Sequence, residues 1–128
     1  MRKHILVAED NEDMAELYCL QLEALGYDVT VVRNGSKVLE VAPLLLPDLV
    51  IMDLLMPIMD GLTAVRQMRE NPATRNIPIL AATAKAMEGD QEKCLAAGCD
   101  GYIAKPFTLR DLGLAIAALL KRPTGQPN

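Results

Sequence analysis

Five short apolar runs, each followed by a stretch of helical periodicity, recur along this chain, and that alternation admits few folds. The runs are Ile5–Ala8, Val29–Val32, Leu49–Met52, Ile79–Ala82 and Tyr102–Ala104. Strand and helix patterns in turn build βαβ units around a parallel sheet. The first and third runs are apolar throughout, as strands covered on both faces must be, and are expected at the centre. Val29–Val32 has polar flanks and contains Thr30, which suits an edge.

The intervening stripes predict five helices. Met14, Tyr18, Leu22 and Leu25 share one helical face, with Gly26 as the residue that ends it. Val38, Leu39, Ala42 and Leu45 give a second helix closed by Pro47. Leu62, Val65, Met68 and Arg69 give a third, capped by Asp60 and ended before Pro72. Met87, Gln91, Cys94 and Leu95 form a weaker fourth stripe, stopped by Gly98. Leu109, Leu112, Ile116, Leu119 and Leu120 make the fifth, with Thr108 as its cap. Residues 1–121 are expected to form one domain, and 122–128, with two prolines and a glycine, a flexible tail or the start of a linker.

Several function classes fall away on charge and composition. A net charge of -4 and a pI near 4.9 oppose the basic surface that nucleic acid binding requires, so no direct DNA contact is expected. The longest apolar run, Leu54 to Met59, is broken by Pro57 and far too short to cross a bilayer. No membrane contact is expected, and with no signal-peptide pattern at Met1–His4 the expected location is cytoplasmic. Cys19, Cys94 and Cys99 lack any CxxC spacing, which removes a disulfide framework or a zinc ribbon. His4 has no second ligand-type residue at metal spacing and is given no catalytic role.

In an open α/β sheet, ligands sit outside the carboxyl ends of the strands. Those ends carry Glu9 and Asp10, Asp53, Thr83, and Lys105. A doubly wound sheet of order 2-1-3-4-5 would gather them at one edge. Crowded carboxylates repel, and a hard divalent cation removes that cost. Asp10 and Asp53 suit direct ligation of Mg²⁺, and the longer Glu9 suits contact through a water. Thr83 and Lys105 suit a hydroxyl donor and a cation for the oxygens of a phosphoryl group on Asp53. Alone, an aspartate after a strand is commonly a turn or cap residue, and Thr83 or Lys105 could equally be a plain strand end or a solvated side chain. The coincidence of all five favours chemistry.

Four segments, each at a strand end, resemble the receiver domain of two-component response regulators: Val7-Ala8-Glu9-Asp10-Asn11, Asp53-Leu54-Leu55-Met56-Pro57-Ile58-Met59-Asp60-Gly61, Ala81-Ala82-Thr83-Ala84 and Tyr102-Ile103-Ala104-Lys105-Pro106-Phe107. The likeness runs from Lys3 to Leu120, and the sheet order adopted above is itself taken partly from it. The resemblance implies that Asp53 receives a phosphoryl group from a histidine of a kinase or phosphotransfer protein. It implies Mg²⁺ (or Mn²⁺) bound with help from the backbone carbonyl of Leu55, a cis peptide before Pro106, and a downstream target protein. Thr83 and Ala84 would contact the phosphoryl group, and Tyr102 would turn inward as Thr83 moves. Leu55 and Lys85, two positions beyond Asp53 and Thr83, would flank the path of attacking water and tune phosphate lifetime. Met14, Leu17, Leu20 and Pro106 would form the docking face for the phosphodonor. The helix after Thr83 to Met87, poor in large anchors, is the expected mobile element.

Such a domain is not an enzyme beyond its own phosphorylation and dephosphorylation. An aspartyl-phosphate hydrolase needs a second acid two residues beyond the nucleophile, where Leu55 stands. A flavin site needs a phosphate cradle after the first strand, where Glu9-Asp10-Asn11-Glu12-Asp13 repels phosphate. Two alternatives stay open: a receiver that is part of a hybrid histidine kinase or longer regulator, and a receiver-fold interaction module that is never phosphorylated.

Overall fold

The computed structural model describes residues 2–56, 59–84 and 89–121. Strands and helices alternate without exception: β1 (His4–Ala8), α1 (Glu12–Ala24), β2 (Asp28–Val32), α2 (Gly35–Leu45), β3 (Leu49–Asp53), α3 (Gly61–Glu70), β4 (Ile79–Thr83), α4 (Asp90–Ala97), β5 (Gly101–Ala104) and α5 (Leu109–Leu120). The strands form one parallel sheet in the order β2-β1-β3-β4-β5. β3 and β4 are buried at every residue, whereas β2 and β5 are partly open to solvent at the two edges.

The two faces of the sheet carry separate cores. One packs Ile5, Val7, Ile51, Leu80 and Ala82 against Tyr18 and Leu22 of α1 and Leu112, Ile116 and Leu119 of α5. The other packs Leu6, Ala8, Val50, Met52, Ile79 and Ala81 against residues of α2, α3 and α4, among them Val38, Ala42, Val65, Met68 and Cys94. Strand neighbours alternate between these cores because successive side chains point to opposite faces.

Helix starts follow side-chain chemistry. Asn11, Asn34, Asp60 and Thr108 each accept a backbone N–H from three residues on, and Thr108 with Asp111 completes a reciprocal capping box. Three expectations need correction. α2 is closed by Leu46 in the left-handed conformation (φ 50°), not by Pro47, and it carries Pro43 within its last turn. The α4 stripe is displaced: Gln91 and Leu95 face solvent, Cys94 and Ala97 are buried, and Met87 lies outside the described residues. Leu109, placed in the α5 stripe, is exposed.

Candidate functional site

Strand alternation sorts the five candidate side chains between the two faces. The Glu9 N–H bonds to the Val32 carbonyl and the Lys105 N–H to the Thr83 carbonyl, so both residues prolong their strands' ladders by one step. Counting by twos from Val7, Ile51 and Ile103 places Glu9, Asp53 and Lys105 on the α1/α5 face. Counting from Ala81 places Thr83 on the opposite face, together with Tyr102. There Thr83 borders a cleft between α3 and α4 whose walls include Leu54, Leu62 and Cys94.

The acidic residues meet above the ends of β1 and β3. One carboxylate oxygen from each of Glu9, Asp10 and Asp53 lies within 4.8 Å of the others. Glu9 and Asp53 are buried and Asp10 is exposed. Lys105 Nζ donates to Glu9 Oε1 at 2.6 Å and stands 3.7 Å from Asp53 Oδ2. The backbone N–H of Leu55 donates to Asp53 Oδ1 at 3.1 Å, and that of Asn11 to Glu9 Oε2 at 3.2 Å.

One ammonium between two buried carboxylates leaves negative charge uncompensated. Burial, reinforced by the hydrogen bond to Glu9 and its charge, pushes the Asp53 carboxyl up to about 6, against the opposing pull of the Leu55 N–H and Lys105. Burial also works to raise Glu9, but the hydrogen bonds of Lys105 and Asp53 and the ammonium charge outweigh it and hold Glu9 below the ordinary range.

Leu54 and Gly61, on either side of the segment between β3 and α3, pack closely against Asp53. The Leu54 N–H bonds to the Ala82 carbonyl and the Gly61 N–H returns to the Leu54 carbonyl. A Cβ at Gly61 would collide with the Asp53 carbonyl oxygen, so only glycine lets the start of α3 approach this closely. Asp60 beside it caps α3 through the Thr63 N–H. This pair therefore fixes the backbone of Asp53 without touching its carboxylate.

The other sequence candidates are spread around this centre. Leu55 and Ala84 are exposed, Tyr102 is half-buried, and the Lys105–Pro106 peptide is cis with Pro106 at the surface. Leu17 and Leu20 project from α1 into solvent, 42% and 65% exposed, while Met14 turns partly into the α1/α5 core. Lys85 lies outside the described residues.

Two residues took on roles that their sequence positions did not announce. Arg69, read as part of the α3 stripe, donates from Nε to the Gly98 carbonyl, from one terminal nitrogen to the carbonyls of Arg75 and Ile77, and from the other to Asp100 Oδ2 at 2.7 Å. It ties the ends of α3 and α4 to the start of β4, whose Ile79 N–H also bonds Asp100. Tyr18, read as core, carries a buried hydroxyl on the α1/α5 side of the sheet, the side that also holds Glu9 and Asp53. An arginine at a stripe position is the only sequence signal for the first, and nothing in the sequence marks the second.

Comparison with known proteins agrees with this geometry. The response regulator receiver domain family model matches residues 5–117. The polar-differentiation response regulator DivK of Brucella anthropi is 38% identical over 109 residues, which span 85% of this chain and 89% of that protein. The receiver domain of a sensor histidine kinase from Pseudomonas aeruginosa PAO1, solved with a magnesium ion coordinated in its active site cleft, superposes with a TM-score of 0.89 at 35% identity, covering 95% of this chain and 100% of that one. The signal receiver domain of a histidine kinase from Syntrophus aciditrophicus gives a TM-score of 0.85 at 34% identity, with 98% of each chain covered.

Proposed function

Since the chain belongs to the response regulator receiver domain family, we propose that Asp53 is the phosphoacceptor of a two-component signalling step, fed by a histidine of a kinase or phosphotransfer protein. The single observation that carries this reading is the convergence of Glu9, Asp10, Asp53 and Lys105 on one sheet edge, with Asp53 pushed up to about 6 by burial among them. A cluster so short of positive charge is suited to a group that brings more. The ligand atoms of its three acidic residues are oxygens, which fits a hard divalent cation better than a soft one.

Asp10, Asp53 and the Leu55 carbonyl would hold Mg²⁺ directly, with Glu9 reaching it through a water. When bound, the metal supplies charge neutralisation for the transferring phosphoryl oxygens. In the transfer, an Asp53 carboxylate oxygen forms the new P–O bond as the P–N bond of phosphohistidine breaks, and the imidazole leaves with a proton. Lys105, already 3.7 Å from Asp53, needs only to exchange Glu9 for a phosphoryl oxygen. Thr83 rotates its hydroxyl toward the same group and, with Ala84, senses it. Tyr102 lies on the face that Thr83 vacates and is the natural follower.

Leu55 offers no acid to protonate a leaving group and no polar atom to hold a water, so phosphate persists as a signal. Leu17, Leu20 and Pro106 offer exposed apolar surface and form the docking face for the phosphodonor, and a downstream protein reads the switch. The same chemistry serves a stand-alone regulator or a receiver joined to a kinase, and the relatives include a response regulator and the receiver domain of a histidine kinase.

Incubation with Mg²⁺ and a small acyl phosphate, followed by intact mass measurement, tests the reading. One phosphate should appear on the wild type and none on Asp53→Asn or in excess EDTA. A phosphate retained by Asp53→Asn, or none on the wild type, overturns it.

A further inference from the structure

Tyr18 is only 1% exposed, and its hydroxyl has no hydrogen-bond partner among the described residues. Burying a hydroxyl without a partner costs free energy that phenylalanine would avoid, so the oxygen calls for an explanation. Its surroundings supply one. Tyr18 packs in the same core as Val7, Ile51 and Ala82. Val7 and Ile51 lie one pleat below Glu9 and Asp53, on the same side of the sheet. Its ring meets Phe107, two residues beyond Lys105, with centroids 5.7 Å apart. The phenol is held well above its usual range by burial and then by the negative charges of Glu9 and Asp53. It therefore remains a donor at every working pH.

Each Glu9 oxygen already carries a donor, while Asp53 Oδ2 has Lys105 nearby at 3.7 Å. Glu9 receives Lys105 at 2.6 Å and the Asn11 N–H at 3.2 Å, and Asp53 receives the Leu55 N–H. We propose that the Tyr18 hydroxyl is a reserve donor for Glu9: idle while Lys105 occupies that carboxylate, it takes the vacated oxygen when Lys105 swings to a phosphoryl group on Asp53. Tyr18 is thus a positioning residue that lowers the cost of moving Lys105. The second half of this proposal rests on the reading of Asp53 as phosphoacceptor; the first half, the hydroxyl answering loss of Lys105, does not.

The chain has three tyrosines and no tryptophan, so its near-ultraviolet absorption is that of tyrosine and reports a phenol that begins to donate. Lys105→Met removes the competing ammonium. Its spectrum should shift to the red relative to wild type, and the shift should vanish in Lys105→Met/Tyr18→Phe. Tyr18→Phe should leave the melting temperature of the otherwise wild-type protein unchanged or raised, and lower that of Lys105→Met by several degrees. No red shift in Lys105→Met, or equal destabilisation by Tyr18→Phe in both backgrounds, overturns the proposal.

A second arm covers the case in which Lys105→Met does not fold. Trifluoroberyllate with Mg²⁺, a phosphoryl mimic, should produce the same red shift in the wild type and not in Tyr18→Phe. A shift that persists in Tyr18→Phe and disappears in Tyr102→Phe overturns it. Should the wild type take no phosphate while Lys105→Met still shows the Tyr18 shift, the phosphoacceptor reading fails and the Tyr18 assignment stands.

Discussion

Replacing Asp53 by asparagine should stabilise the metal-free protein, and the size of the gain follows from the site. Burial beside Glu9 pushes the Asp53 carboxyl from 3.8 to about 6. At about 1.36 kcal/mol per tenfold change in proton affinity, this corresponds to about 3 kcal/mol. A raised folded-state pKa means that the fold favours the protonated form. Its contribution is complete below the unfolded value, is lost as pH rises from about 4 through about 6, and leaves the ionised folded state penalised above that. Asparagine is neutral throughout, keeps an acceptor for the Leu55 N–H and can still donate to Glu9. It forfeits the 3.7 Å approach to Lys105, which offsets part of the gain. The expected gain in EDTA at pH 7.5 is therefore about 1–3 kcal/mol, shrinking to less than about 1 kcal/mol at pH 4.0.

Urea titrations at those two pH values measure it directly, both lying clear of the pI near 4.9. Thermal melts of this 128-residue chain should show roughly 4–11 °C at pH 7.5. Saturating Mg²⁺ should narrow the gap, since a ligand at ten times its dissociation constant adds about 1.4 kcal/mol to a protein that binds it, and Asp53→Asn lacks one ligand. An Asp53→Asn protein no more stable than wild type at pH 7.5 in EDTA refutes the reasoning, as does a gain of equal size at both pH values.

Leu55→Asn places an amide capable of holding water where an exposed leucine now stands, and should shorten the phosphate half-life on Asp53 several-fold, as followed by loss of label after removing the phosphodonor. Leu17→Ser with Leu20→Ser should slow phosphotransfer from a phosphohistidine protein by roughly tenfold or more, the loss of about 1–2 kcal/mol of apolar contact, while small acyl phosphates react at the wild-type rate. Arg69→Met removes the guanidinium from Asp100 and from the carbonyls of Arg75, Ile77 and Gly98, and should cost about 2–4 kcal/mol in urea titrations with faster amide exchange in α4.

What the sequence disclosed, and what it hid, divides along a physical line. Strand ends were legible because β1, β3 and β4 are apolar runs whose last residues change abruptly to Glu9, Asp53 and Thr83, and burial on both faces allows few other readings of such a run. α4 was not legible, because its alanines and single cysteine leave no strong stripe: Leu95 looks like an anchor and is exposed, while the smaller Cys94 and Ala97 do the packing. Leu46 adopts a left-handed conformation usually given to glycine or asparagine, and no local signal could announce it. Pair choices are hidden for a different reason: whether Lys105 sits on Glu9 or on Asp53 depends on about one ångström of reach.

The alternation of side chains across strands supplies the step from site to switch. Glu9, Asp53 and Lys105 belong to the α1/α5 face, whereas Thr83 and Tyr102 belong to the face covered by α2, α3 and α4. A group bound only by the first three would strain one face and leave the other unaware. A phosphoryl group is large enough to stand above the sheet edge and take Lys105 from one side and the Thr83 hydroxyl from the other. The bulk of the signal would then pass toward α4, the helix with the fewest large anchors, while the proposed docking side, around Leu17 and Leu20, would keep its packing. Amide exchange compared with and without a phosphoryl mimic should accordingly change more in α4 and β5 than in α1, and equal changes on the two faces would show that strand parity does not direct the response.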